Sequence, residues 1–182
     1  MKREVVKDIP TSKLGLPVAD RDHIQGPIDA PSALLEYGDY QCPYCGEVYP
    51  IVKSIQEELG DRLCFAFRNF PLVNAHPYAE HAAEAAEAAG AQGKFWEMHD
   101  LLFENQEALE DEDLAEYAAA LDLDVDRLSA EISTGAHMAR VQEDFKSGAR
   151  GGVNGTPCFF INGVRYDGEH SFEALLAALN KK

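Results

Sequence analysis

Apolar and polar positions divide the chain into three stretches of different period. "SALLEYGDY", residues 32 to 40, is a continuous apolar run of strand length, and it leads straight into "QCPYCG". A short run of this kind, bounded by turn residues, predicts a buried strand. Beyond it, Val48, Val52, Ile55 and Leu59 fall on one face of a helix that Gly60 is placed to cap. Pro50 lies inside that helix and lacks a backbone donor, which predicts a kink. "RLCFAFRNF", residues 62 to 70, predicts a second strand that Pro71 ends. Strand, helix, strand is a βαβ unit with parallel strands and a right-handed crossover.

From His76 to Arg150 the pattern is helical, in short amphipathic pieces separated by Gly, Asp or Asn. The first piece is predicted to start at Pro77 and to stop at Gly90. "TPCFFING" and "VRYDG" then predict a hairpin turned by Asn162 and Gly163, and "SFEALLAALNKK" a final helix capped by Ser171 with lysines at its end. The predicted architecture is α/β: a βαβ half over about 31–73, an all-helical insertion over about 74–150 and a ββα half over about 151–182. The two halves build one mixed four-stranded sheet within a single domain. Residues 1–30, rich in Pro, Asp and Gly, form a lead-in segment with room for one short edge strand.

Charge narrows the function classes. The 182 residues carry a formal net charge of −16. Such a surface repels phosphate backbones and anionic lipid, so neither nucleic acid nor a membrane is expected as a partner, and solubility is the plainest reason for the acid. No run approaches the roughly 20 apolar residues of a membrane span, and the N-terminus has no apolar stretch of signal-peptide length. Taken as it stands, the chain is expected to be cytoplasmic; a removed leader would instead make it periplasmic or extracellular.

Cys42 and Cys45 have a spacing that serves to bind a metal, to staple a loop or to exchange electrons with other thiols. A reducing compartment disfavours the staple. Zinc needs four ligands, and Cys64 and Cys158 stand alone, while His76 and His81 are separated by Pro77, so no metal is expected. Cys42 is placed where a strand ends and a helix begins, among unpaired N–H groups at the positive end of the helix dipole. Thiols so placed titrate at roughly 3.5 to 7.5 rather than near 8.5, which makes Cys42 the expected nucleophile. Cys45, one turn further on, is the expected resolving thiol. Pro43 fits the first helical turn. Glu36 either shuttles the proton of Cys45 from a buried place or points to solvent at an edge, and position alone does not decide. Phe95, Trp96, Phe103 and the histidines suit packing or surface roles better than a cofactor site.

Together, "LLEYGDYQCPYCG", "GVNGTPCFFING" and the order of elements resemble the DsbA-like branch of the thioredoxin superfamily, over roughly residues 20 to 180. The resemblance implies a thioredoxin-like fold and a thiol–disulfide oxidoreductase in which Cys42 attacks and Cys45 resolves. It implies a cis Thr156–Pro157 peptide set against the sulfurs, with Thr156 pairing to extended substrate, and it favours the proton-shuttle reading of Glu36. The partners implied are protein or small-molecule disulfides and a redox partner that regenerates the pair. No cofactor is expected beyond the Cys42–Cys45 disulfide. Two features depart from the pattern. Pro43–Tyr44 is similar to the glutaredoxin dipeptide, which brings in glutathione as a co-substrate and a glutathione-dependent reductase as an alternative. Cys158 directly follows Pro157, a place for an auxiliary thiol. From another class, the pair could switch a redox-responsive or chaperone-like binding module without turnover.

Overall fold

The computed structural model describes residues 16–181. The N-terminal stretch on which the compartment expectation rests, and half of the lead-in segment, lie outside the described residues. The chain runs β1 (His23–Gln25), β2 (Ser32–Gly38), α1 (Pro43–Leu59), β3 (Leu63–Asn69), then α2 (Ala79–Ala91), α3 (Phe95–Glu104), α4 (Asp111–Ala120), α5 (Val125–Thr134) and α6 (Met138–Arg150), and ends with β4 (Cys158–Ile161), β5 (Val164–Tyr166) and α7 (Phe172–Leu179). The strands form one sheet in the order β1-β3-β2-β4-β5, with β2 and β3 parallel and the other pairs antiparallel. It therefore has five strands rather than four, because the lead-in supplies β1 along β3.

That edge strand is held by a buried charge. Arg68 on β3 is wholly buried, and its guanidinium donates to both carboxylate oxygens of Asp22 at 2.8 and 2.9 Å. It also donates to the carbonyls of Leu16 and Pro17 and to the Tyr37 hydroxyl. Every lone pair it needs is therefore local, which is the condition for keeping a charge out of water. Removing one partner of such a pair costs about 3–5 kcal/mol.

Side chains alternate across the sheet, as a period of two requires. Leu34, Phe65, Phe67 and Phe159 face one core with α1, α2, α3 and α7. Leu35, Tyr37, Ala66, Cys158 and Phe160 face a second, smaller one. The α1 helix buries Val48, Val52, Ile55 and Leu59, the face predicted from periodicity. It runs unbroken through Pro50, and Gly60 closes it with φ +50°.

Helix α2 departs from the predicted bounds at both ends. It begins at Ala79 rather than Pro77, because His76 and the Tyr78 amide are tied to Asp39 and Gln41 ahead of it. It also passes through Gly90 to Ala91, since the turn is made by Gly93 with φ +82°. The hairpin turn falls where expected, with φ +49° at Asn162 and +80° at Gly163. Positive φ at both central residues is the two-residue turn whose twist matches the strands. Ser171 caps α7 by accepting from the Ala174 amide.

Candidate active site

Strand β2 delivers its C-terminal end to the start of α1, and the turn between them is tightly bonded. The buried Asp39 carboxylate accepts from the Gln41 amide through Oδ1 and from the Leu72 amide through Oδ2, each at 2.8 Å. His76 Nδ1 lies 2.8 Å from the same Oδ2. The Cys42 amide donates to the Asp39 carbonyl at 3.1 Å. Cys42 is thereby the N-cap of α1, with Pro43 inside the first turn.

The thiol at Cys42 meets the loop before β4. Its Sγ donates to the Thr156 carbonyl at 3.4 Å, and the Thr156–Pro157 peptide is cis. The hydrogen bond from the Cys45 thiol is the largest influence on Cys42, and its pKa falls to about 5. Burial opposes that fall; the Thr156 side chain and the amides of Cys45 and Tyr44 assist it. Thr156 Oγ1 is buried without a partner beside the protonated thiol, so its hydroxyl is free to turn toward a thiolate. Cys45 behaves oppositely. It is fully buried, and burial, its own donated bond to Cys42 and the nearby Glu36 push its pKa well up.

Glu36 lies on the central strand of the sheet, not at an edge. Its register partners are Phe67 and Phe159, on the same face as the two cysteines. It is only 3% exposed, and Oε1 has no hydrogen-bond partner. Burial first, and a thiolate at Cys42 second, raise its pKa to about 8. A carboxyl so tuned is protonated near neutral pH yet able to exchange its proton there.

Cys42, Cys45, Glu36, Thr156 and Pro157 are thus gathered at one end of the sheet, and Pro43 and Tyr44 are exposed beside them, Tyr44 to 65%. Cys158 is not part of this group. It pairs with Tyr37 and projects into the smaller core across the sheet, with its pKa raised by burial. Cys64 pairs with Ala33, so it and Cys158 sit on opposite flanks of β2 and four residues apart along it, and both are free thiols. Among the described residues no cluster of three or more His, Cys, Asp or Glu is arranged to hold a metal, and no helix is long and apolar enough to cross a membrane.

Sequence patterns did not single out Asp39 or Gln106, and His99 takes the packing role expected of it. His99 is buried among Tyr40, Phe67, Trp96 and Phe103, and Tyr40 Oη lies 3.1 Å from its Nδ1. Burial brings its pKa to about 3, which leaves the ring neutral. Phe95 and Phe103 are core residues here, with Trp96 partly buried against them, the packing role expected of these aromatics. Gln106 reaches from the insertion to the backbone around Cys42. Only Asp39 carried a visible signal, as an acid in a turn directly before a helix.

A thioredoxin family profile matches residues 19–181. The chain is 47% identical over 160 residues to a protein named Na(+)/H(+) antiporter NhaA 1 from Salinispora arenicola, covering 88% of this chain and 24% of that one. It is 45% identical over 160 residues to Na(+)/H(+) antiporter NhaA 3 from Salinispora tropica, with the same coverage of 88% and 24%. The chain therefore spans about a quarter of the length of these curated relatives. Among solved structures, oxidised BdbD from Bacillus subtilis superposes with a TM-score of 0.82 at 23% identity, over 92% of this chain and 96% of that one. A thioredoxin-like oxidoreductase from Silicibacter pomeroyi gives 0.79 at 22%, over 89% and 92%. The thiol–disulfide exchange protein α-DsbA2 from Wolbachia pipientis gives 0.76 at 17%, over 88% and 86%. At these identities the likeness is one of fold.

Proposed function

Because the chain belongs to the thioredoxin family and has the fold of DsbA-type proteins, we propose that it is a thiol–disulfide oxidoreductase working through Cys42 and Cys45. The observation that carries this reading is the opposite tuning of two adjacent thiols, one lowered to about 5 and the other raised well above its ordinary value. Neither a structural thiol pair nor a metal site requires that asymmetry.

In the reducing direction, the Cys42 thiolate attacks one sulfur of a client disulfide. A bond forms between Cys42 Sγ and that sulfur, and the second client sulfur leaves as thiolate. Forming that bond removes the Cys42 thiolate charge that helps to raise the Glu36 pKa, which favours the ionised carboxylate; Glu36 in that form takes the Cys45 proton, and the Cys45 thiolate then attacks Cys42 Sγ. The client sulfur bonded to Cys42 departs as thiolate, so the client leaves as a dithiol, and the Cys42–Cys45 disulfide holds the two-electron oxidation equivalent. A client dithiol runs the same steps backward. Thr156 presents its backbone, and Pro43 and Tyr44 their exposed faces, to an extended client segment or to glutathione.

Direction follows from reduction potential. Stabilising the Cys42 thiolate favours the reduced pair and makes the disulfide more oxidising. The expected value lies between about −270 mV, typical of thioredoxin, and about −120 mV, typical of DsbA. The deciding experiment combines turnover of a disulfide substrate with two variants. Cys42→Ser is expected to abolish exchange, and Cys45→Ala to accumulate the mixed disulfide. Full activity in Cys42→Ser would remove the mechanism, and binding without turnover in the native protein would leave a redox-responsive binding module.

The antiporter names favour a second, compatible reading. Identity of 47% extends across 160 residues of a protein four times longer than the matched part. We infer that the matched quarter is a thiol-exchange unit and that cation exchange belongs to the remainder. Antiport by the Salinispora arenicola protein is then expected to differ between its oxidised and reduced forms. Identical antiport in both forms would remove the link.

A further inference from the structure

The turn that carries Cys42 is held from the insertion by a side chain with no part in the exchange steps above. Gln106 follows α3 in the loop before α4, 64 residues along the chain from Cys42. Its Nε2 donates to the Tyr40 carbonyl and to the Cys42 carbonyl, each at 2.8 Å. A primary amide has two N–H donors, and both are used on the carbonyls that flank Gln41. The Cys42 carbonyl also accepts the first bond of α1, from the Gly46 amide at 3.1 Å. Gln106 therefore fixes the plane of the peptide that joins Cys42 to Pro43.

Gly46 is the independent sign that this contact is built in. A Cβ there would lie 2.0 Å from Gln106 Oε1 and 2.7 Å from its Cδ. Gly46 lies within α1 without a positive φ, so its backbone conformation makes no demand for glycine. The space is needed by the amide of Gln106.

We propose that Gln106 is a positioning residue of the redox site, holding the Cys42 peptide so that Sγ faces the Cys45 thiol, the Tyr44 and Cys45 amides and Thr156. The inference rests on Cys42 being the nucleophile. The insertion then does more than cover the sheet: it sets the thiolate fraction of the attacking cysteine. If the Cys42 peptide turns, Sγ moves away from the donors that stabilise its charge, and the thiol titrates higher.

The test uses the full chain and reads the ultraviolet thiolate absorbance of the reduced protein against pH, together with its equilibrium with glutathione. Gln106→Ala and Gln106→Met, the second of similar length but without a donor, are each expected to raise the Cys42 titration by roughly one unit. A tenfold loss of thiolate stabilisation lowers the potential by about 30 mV. Gly46→Ala, which pushes the amide aside, is expected to give a similar rise. Combined with Gln106→Ala it should add nothing, because the methyl occupies vacated space. Changed thermal stability with unmoved titration and potential in both Gln106 variants would overturn the proposal, and so would additive shifts in the double variant. Failure of the underlying reading is separate: Cys42→Ser would then keep the low-titrating thiolate signal and the exchange activity.

Discussion

Replacing Glu36 with glutamine keeps the shape of the side chain and removes its titration. Glu36 is buried between Phe67 and Phe159, with one oxygen unpaired and a pKa of about 8 against an ordinary 4.5. Between those two values the folded protein keeps a proton that the unfolded chain has already given up. Stability therefore falls as pH rises through this window, by about 1.4 kcal/mol for each unit. At pH 7 the penalty is on the order of 3 kcal/mol, and it is absent below the ordinary carboxyl value. Glu36→Gln is expected to be more stable than the native protein by that amount at pH 7 and equal to it at pH 4. The gain should shrink in the disulfide form, where no Cys42 thiolate adds to the burial effect. Urea unfolding of the reduced proteins at both pH values measures the difference. An offset that is the same at both would refute the buried, raised carboxyl. The same variant tests the proton shuttle. First attack by Cys42 should proceed, while resolution by Cys45 should slow by about 100-fold or more, the usual contribution of a positioned base. Resolution at the native rate would show that Glu36 is not that base.

Alkylation of Cys42 should fall off with a midpoint near pH 5, and a midpoint near 9 would contradict the proposed hydrogen-bond donors. Because this pKa is lowered on folding, the Cys42 thiolate contributes stability that grows as pH rises from about 5 to 9 and is lost on acidification, a contribution opposite in sign to that of Glu36. Cys158→Ala is expected to exchange disulfides at the native rate, since its thiol lies across the sheet from Cys42; a cross-linked peptide containing Cys158 after mild oxidation would contradict this. Tyr40→Phe leaves buried His99 Nδ1 without its partner and should cost about 1–3 kcal/mol in chemical unfolding. Gly148→Ala sets a methyl 2.9 Å from both Phe70 and Tyr37. Overpacking of that kind should lower stability by about 1–3 kcal/mol, and an unchanged unfolding midpoint would mean the rings yield freely.

Where a feature depends on neighbours in sequence, it was legible from the chain. The Cys42 position between strand and helix places the sulfur among unpaired amides whatever the rest of the fold does. Periodicity located the buried face of α1, and Asn162–Gly163 the hairpin, because both are set by local geometry. The bounds of α2 were misplaced for the opposite reason. His76 and Tyr78 are bound to Asp39 and Gln41, 37 residues earlier, and no local propensity reports such bonds.

Local chemistry alone thus determined the order of elements and the place of Cys42 at the start of α1. Tertiary structure decided the rest. Glu36 takes its tuning from being covered on a central strand, and Cys158 is excluded by a sheet face that alternation assigns only once the register is known. Gln106 is joined to Cys42 by packing of the insertion against α1, across 64 residues. Burial and long-range hydrogen bonds depend on which surfaces meet, and a linear pattern records the surfaces without their partners.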